Sequence, residues 1–321
     1  MKVTWYQISS GKLVEGTAPT GWQAASLEPG TEVWLDIESP QPDELRALLA
    51  PLALHPLALA RCLVAKNVPG AVSSETVVLL EFPAMLTSAA VEPAYLTLLL
   101  QSGVLVTIHL TPMPALDALV QELLGDKEND VSHLAQLMYL ILDDLADLSV
   151  KAEIDARDEV LRTARILTEE PGRVDGAELT RLRWLVDGLA SLIENQLFAA
   201  AGLKASDHPA LKEPHRNAYL QDLVSELELA QRGIYRLDSR VNDLYSYYQM
   251  NQSDQVDRRL RILTIVSVIA LPLGLIAGLL GMNVGGVPAT HTSWGFAIVM
   301  VIMVLITAVE LVYFKRRGWF R

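Results

Sequence analysis

On a 100° helical wheel, Ser253, Asp257, Leu260, Thr264, Ser267, Leu271, Gly274 and Gly278 fall on one narrow stripe. The stripe runs from an acid through two hydroxyls to two glycines. Such residues allow two kinds of chemistry. Small side chains let helices approach closely. Hydroxyls and glycine backbone can also face water and line an ion path, which Leu260, Leu263 and Leu271 would narrow by dewetting. Two helices cannot enclose a pore, so the second reading requires several copies. Taken alone, the stripe favours packing over a pore. The opposite stripe, Ile262, Ile265, Val266, Ile269, Leu273, Ile276 and Leu280, is wholly apolar and reads as lipid-facing. Asp257 has two readings as well. Repeated around a ring it would attract cations; alone it would pair with Arg258 or Arg261.

Little else in the chain suggests chemistry. There is no G-x-G-x-x-G, no P-loop and no nucleophile elbow. His55, His109 and His133 are isolated, which suits structural roles, and no paired histidine spacing marks a zinc enzyme. Cys62 is the single cysteine, so a disulfide framework and a Cys-rich zinc site are excluded. Asp143, Asp144, Asp147, Glu153, Asp155, Asp158 and Glu159 form an acidic run whose default reading is a solvated helix face, with cation attraction as the alternative. The chain is therefore not read as an enzyme.

The elements that position these groups fall into two populations. The 321 residues carry a net charge of −12. From Arg258 onward, however, Arg258, Arg259, Arg261, Lys315, Arg316, Arg317 and Arg321 face only Glu310. An acidic body precedes a basic, oily tail. No basic face is available for phosphates, so nucleic acid is not an expected partner. Ile262–Leu280 has no charge and, as a helix, spans about 28 Å, the thickness of a bilayer core. Trp294–Phe314 gives a second span, interrupted only by Glu310. An uncharged turn, Gly281–Ser293, joins them. Basic residues flank both spans on the far sides, which places those flanks in the cytoplasm and the turn outside. Trp294, Tyr313 and Trp319 stand where interfacial aromatics belong. The stretch MKVTWYQISS lacks the pattern of a signal peptide, so both termini are expected in the cytoplasm.

Residues 1–128 read as an αβ domain. Val3–Ile8, Glu32–Ile37, Thr76–Leu80, Tyr95–Leu100 and Val104–His109 are strand-like runs bounded by Gly, Pro and Ser. Ser39, before Pro40, Asp43 and Glu44, looks like the cap of a helix. Pro114–Leu124 is a further short helix. Residues 129–261 read as long helices. One runs to about Glu169 and breaks at Pro171–Gly172; a second covers about Ala177–Leu203; a third begins near Pro214. In the third, Leu220, Leu227, Ile234, Val241 and Tyr248 interleave with Leu223, Ala230, Leu237 and Leu244 as a heptad seam. Nothing interrupts Met250–Ile262, so this helix continues into the membrane as a stalk of about 100 Å. A helix that long needs partners, which argues for an oligomer. Residues 262–321 form the two-helix transmembrane domain.

Gly281-Met282-Asn283, directly after a Pro-containing span and before a short loop and a second span, resembles the CorA family of divalent-cation transporters. The resemblance extends through LTIVSVIALPLGLIAGLLGMN (Leu263–Asn283), VWLDIESP (Val33–Pro40), LHPLALARCL (Leu54–Leu63), LVTIHLTPMPALDAL (Leu105–Leu119) and FKRRGWF (Phe314–Phe320). It implies an α+β fold: a cytoplasmic αβ domain, long stalk helices and two C-terminal transmembrane helices, assembled as a funnel-shaped homopentamer in the bilayer of a bacterial inner (plasma) membrane. The first transmembrane helix would line the pore.

The loop GMNVGGVP (Gly281–Pro288) lacks the acid of magnesium-transporting members and looks like the ZntB branch, whose members transport zinc. The family's acidic pair after the HPL segment is replaced here by Ala60-Arg61, which argues against a cation site at that point. The implied function is transport of Zn2+, with Mg2+ or Co2+ as the alternative and no permanently bound cofactor. In this reading Gly281, Met282 and Asn283 are the selectivity motif. A ring of Asn283 amides holds the ion transiently through its waters. Asp257, Leu260, Leu263, Thr264, Ser267, Leu271, Gly274 and Gly278 line the path. Neither span offers Cys or His, so tight dehydrated zinc binding is not provided. Direction of transport, proton coupling and the role of His291 stay open.

Overall fold

The structure is a computed structural model that describes residues 1–9, 11–16, 31–64, 68–86, 93–101, 103–125, 131–206, 208–211, 214–282 and 294–319. The chain divides into two compact units, residues 1–245 and 246–321.

In the first unit the described residues form seven strands: β1 (Lys2–Ser9), β2 (Lys12–Gly16), β3 (Glu32–Glu38), β4 (Gly70–Ser73), β5 (Val77–Ala84), β6 (Ala94–Gln101) and β7 (Val104–His109). They form one sheet in the order β2-β1-β3-β7-β6-β5-β4. Among the described strands only β3 and β7 run parallel, with Leu35 beside Val106. Period-two alternation divides the side chains between two cores. Leu35, Leu79, Leu99 and Val106 face α1 (Pro42–Leu49) and α2 (Pro56–Leu63). Trp34, Leu80, Phe82, Leu98 and Leu105 face the layer of α3 (Pro114–Gly125), α4 (Leu134–Glu169), α5 (Gly176–Lys204) and the start of α6 (Pro214–Leu280).

Burying Trp34 and Thr107 leaves polar atoms that need partners. Trp34 Nε1 donates to Thr107 Oγ1 at 3.0 Å, and Thr107 Oγ1 donates to Asp36 Oδ1 at 2.5 Å. His109 lies beside this group, with Nε2 3.3 Å from Asp36 Oδ1 as an ion-pair distance and Nδ1 2.7 Å from the Thr111 carbonyl. The turn into β7 needs its glycine. Gly103 has φ 81°, and a Cβ there would lie 3.1 Å from the Thr31 carbonyl.

The helices start and stop for local reasons. His133 Nδ1 accepts from Gln136 N at 3.0 Å to begin α4. Pro171 follows its end and cannot continue it. Asp175 caps α5 by accepting from Glu178 N at 2.8 Å. Ser39 does not cap α1. Its φ is 48° and its hydroxyl donates to the Leu110 carbonyl at 2.8 Å, tying the end of β3 to the chain after β7. Gln41 precedes the helix without a side-chain cap, and Pro42 at its first turn is pre-set for the helical φ.

The seam on α6 is used inside the chain. Ala230, Ile234, Leu237 and Val241 pack with Ala152, Ala156 and Val160 of α4 and Leu182, Val186 and Ile193 of α5. Leu220, Leu223 and Leu227 join the larger core. The seam up to Val241 therefore does not call for a second copy, because α4 and α5 already fill its heptad positions. The acidic run is not one solvated face either. Glu153 is buried, held by Arg157 Nη2 at 2.7 Å, and Glu159 pairs with Arg181 of α5. Asp155 and Asp158 are exposed.

Candidate ion pathway

The second unit contains the end of α6 and α7 (Gly295–Arg316). Their apolar windows have mean hydropathy 2.5 and 2.7, and only 6% of each is buried by the chain. A core helix of this length would be mostly covered; these helices present their apolar surface outward, as membrane spans do. Lys315 and Arg316 close α7. Trp319 N then donates to the Phe314 carbonyl at 3.2 Å, the Phe314 and Trp319 rings lie 5.1 Å apart, and Arg317 sits over Tyr313 at 5.6 Å. This knot of aromatic and basic groups is the composition of a membrane interface.

Burial distinguishes the faces of the two spans. On α6 the covered positions are Ile265, at 9% exposure, and in part Ile269, Pro272, Leu273, Ile276 and Leu280. On α7 they are Val299, Met303, Ile306, Thr307, Glu310 and Phe314. These are the facing sides of the pair. Most of the stripe read as lipid-facing is thus covered within the chain, although Ile262 and Val266 stay exposed. The larger aliphatic side chains supply the packing area between neighbouring spans. The wheel shows polarity but not which face a neighbour takes.

The stripe of Asp257, Leu260, Leu263, Thr264, Ser267, Leu271, Gly274 and Gly278 is exposed throughout, Leu271 at 71%. Gly274 and Gly278 meet nothing within 4 Å of a Cβ position. Close packing inside the chain is therefore not the role of this stripe. Thr264 Oγ1 donates to the Leu260 carbonyl at 2.8 Å, which leaves its lone pairs available. Pro272 lacks an N–H, so the Val268 carbonyl loses its helical donor. Asp257 makes no ion pair with Arg258 or Arg261 among the described residues. At the end of α6, Gly281 N donates to the Ala277 carbonyl at 3.0 Å, and a Cβ on Gly281 would stand 3.2 Å from that oxygen. Met282 is exposed. Asn283 and His291 lie outside the described residues.

A second group of acids was only half legible in the sequence. Asp143 and Asp147 of α4 meet Asp222 and Glu226 of α6. Burial, then the charge and hydrogen bond of Asp147, then Asp143 and Asp222, push Glu226 up to about 7. Burial followed by Asp147 also raises Asp144. The i, i+4 spacing of both pairs was the available signal. The isolated histidines have structural duties: His55 Nδ1 accepts from Leu57 N at 3.3 Å, His133 caps α4, and His109 sits on Asp36. Burial and then the charge of Glu81 push the Cys62 thiol to about 12, which keeps it protonated and unreactive. Among the described residues, no group of three or more His, Cys, Asp or Glu is placed to hold a metal ion.

A membrane-anchored αβ unit with an uncovered polar stripe on one span is the frame of a transporter rather than of an enzyme. Residues 30–316 match the family model described as "CorA-like Mg2+ transporter protein", and the chain belongs to that family of divalent-cation transporters. It is 25% identical over 301 residues to a cobalt/magnesium transport protein CorA of Methanocaldococcus jannaschii, covering 92% of this chain and 93% of that one. With a cobalt/magnesium transport protein CorA of Thermotoga maritima the identity is 29% over 113 residues, spanning 35% of this chain and 32% of that protein. The zinc transport protein ZntB of Vibrio parahaemolyticus is 27% identical over 118 residues, 31% of this chain and 38% of its own. The fold matches the complete structure of the CorA magnesium transporter from Methanocaldococcus jannaschii, with TM-score 0.79 at 18% identity over 99% of both chains. It also matches the full-length CmaX protein, with TM-score 0.80 at 20% identity over 98% of this chain and 97% of that one.

Proposed function

We propose that the chain forms a homopentamer that moves a hydrated divalent cation along the Asp257–Gly278 stripe of α6, with zinc as the cargo. The observation that carries this reading is that the chain covers the apolar side of α6 and leaves its acid, hydroxyls and glycines uncovered. A small-residue face in that position has two uses, another copy or water, and a ring supplies both. Oxygen donors without Cys or His suit an ion that keeps its waters. Five copies, an Asn283 ring at the outer mouth, termini in the cytoplasm and a bacterial inner membrane follow from the CorA resemblance and the basic flanks. Zinc is supported by the acid-free loop at 281–293, which resembles the ZntB branch. A magnesium or cobalt cargo is the second reading, favoured by the match to the Methanocaldococcus jannaschii protein along 92% of this chain.

The test is flux of Zn2+ and of Mg2+ through purified protein in liposomes, each with and without a pH gradient. Zinc flux exceeding magnesium flux is expected. The reverse order assigns the cargo to the second reading, and no flux of either ion from an intact ring removes the pore. Asn283→Ala should abolish zinc flux while the ring still elutes at its wild-type size. Wild-type flux in that variant would make the residue structural only.

A further inference from the structure

A cleft of 660 Å3 opens in the first unit between α2 and the turn that joins β4 to β5. It has the size usual for small-molecule sites. Leu57 and Val72 present apolar walls and are themselves exposed, Leu57 at 74%. The polar groups are few. Arg61 is half-buried on α2 and has no carboxylate partner among the described residues. His55 Nδ1 accepts from Leu57 N, so its proton sits on Nε2 and that nitrogen is a donor. The Thr76 hydroxyl shares a hydrogen bond with Ser74 Oγ at 3.5 Å. Gln101 gives its Nε2 to the Leu52 carbonyl at 2.9 Å, while its buried Oε1 has no donor.

Among the described lining residues the one full charge, on Arg61, is positive. A fixed guanidinium repels a metal dication, so this is not a place for the transported ion. A guanidinium that no carboxylate of the chain engages is free to take a planar or tetrahedral oxyanion through two parallel N–H groups. Leu57 and Val72 would meanwhile cover an apolar body. We infer that this cleft binds a small organic anion, its oxyanion on Arg61 and its apolar part against Leu57 and Val72. The site is independent of the transport reading.

Benzoate is the probe, with benzyl alcohol as the uncharged counterpart and inorganic phosphate as the bare anion, titrated calorimetrically into the full-length protein in detergent. Benzoate should bind saturably, one per chain. Benzyl alcohol should show no saturable binding, and phosphate should bind at least tenfold more weakly. Arg61→Gln should weaken benzoate at least tenfold, and Arg46→Gln on the exposed face of α1 should leave it unchanged. Leu57→Asp, at a position too exposed to affect folding, should weaken it similarly by repulsion, so the inference does not depend on one variant. Benzoate binding equally to wild type, Arg61→Gln and Leu57→Asp would overturn it. So would no saturable binding up to about 10 mM, a free energy too small for a built site, or phosphate binding as tightly as benzoate.

Discussion

The carboxylate of Glu153 on α4 occupies the space in front of Gly233 on α6: a Cβ there would lie 2.5 Å from Glu153 Oε1. Arg157 Nη2 holds both oxygens of that carboxylate at 2.7 Å, so it cannot swing aside without losing its partner. Gly233→Ala should therefore destabilise the protein by about 1–3 kcal/mol despite the better helix propensity of alanine. In a Glu153→Ala background the same change should cost little, because the obstacle is gone. Thermal melts of the four proteins measure the coupling. Additive effects would mean that the two residues do not oppose each other.

Glu226 gives the first pH dependence. Its carboxyl ionises near 4.5 when unfolded and about 7 when folded, because burial and Asp147 disfavour its charge. Between those values the folded chain keeps a proton that the unfolded chain has released. Stability from this group therefore falls as pH rises from about 4.5 to about 7, and is flat above. Glu226→Gln should remove that slope, gaining about 1 kcal/mol over wild type at pH 8, an amount reduced by the group's partial exposure. A constant difference between the two proteins from pH 4.5 to 8 would refute it.

His109 shifts stability with pH in the same direction, but by favouring its charged form. Burial lowers its pKa, but the hydrogen bond and charge of Asp36, the Thr111 carbonyl and Glu38 together hold it above the ordinary 6.5. The protonated ring thus stabilises the fold fully below about 6.5, and the contribution fades as pH rises through the higher folded value. His109→Gln should cost most at pH 6 and less at pH 9, read as the gap in melting temperature. A gap that widens with pH would contradict this.

Gly274 tests the exposed stripe. Nothing lies within 4 Å of its Cβ position, so Gly274→Leu fits the chain without a clash. If the stripe lines a path, the added side chain should cut divalent flux at least tenfold while the ring elutes unchanged. Full flux from an intact ring would place the path elsewhere.

Much of this arrangement was legible in the sequence because it follows from periodicity. The β-branched runs gave five strands within a few residues, and the spacing of Leu134, Met138 and Ile141 announced α4. Strands β2 and β4 escaped: KLVEG and GAVS carry too few apolar residues, and pairing with β1 and β5 makes them strands. Ser39 has the chemistry of a cap, but a distant carbonyl, Leu110, competed for its hydroxyl. The α6 seam and the stripe of Ile265 and Ile269 were visible as apolar faces. What covers them is a matter of tertiary placement, which no wheel contains.

The filling of the α6 seam by α4 and α5 also bears on how such a protein is made. A stalk whose heptads awaited other chains would leave the ribosome with a sticky edge, and its survival would depend on meeting siblings quickly. Here Leu220 through Val241 are already occupied by the chain's own helices. A newly made copy can finish its aqueous core alone. For the proposed ring, subunit concentration would then set how many assemblies form without setting whether each copy's aqueous core is folded.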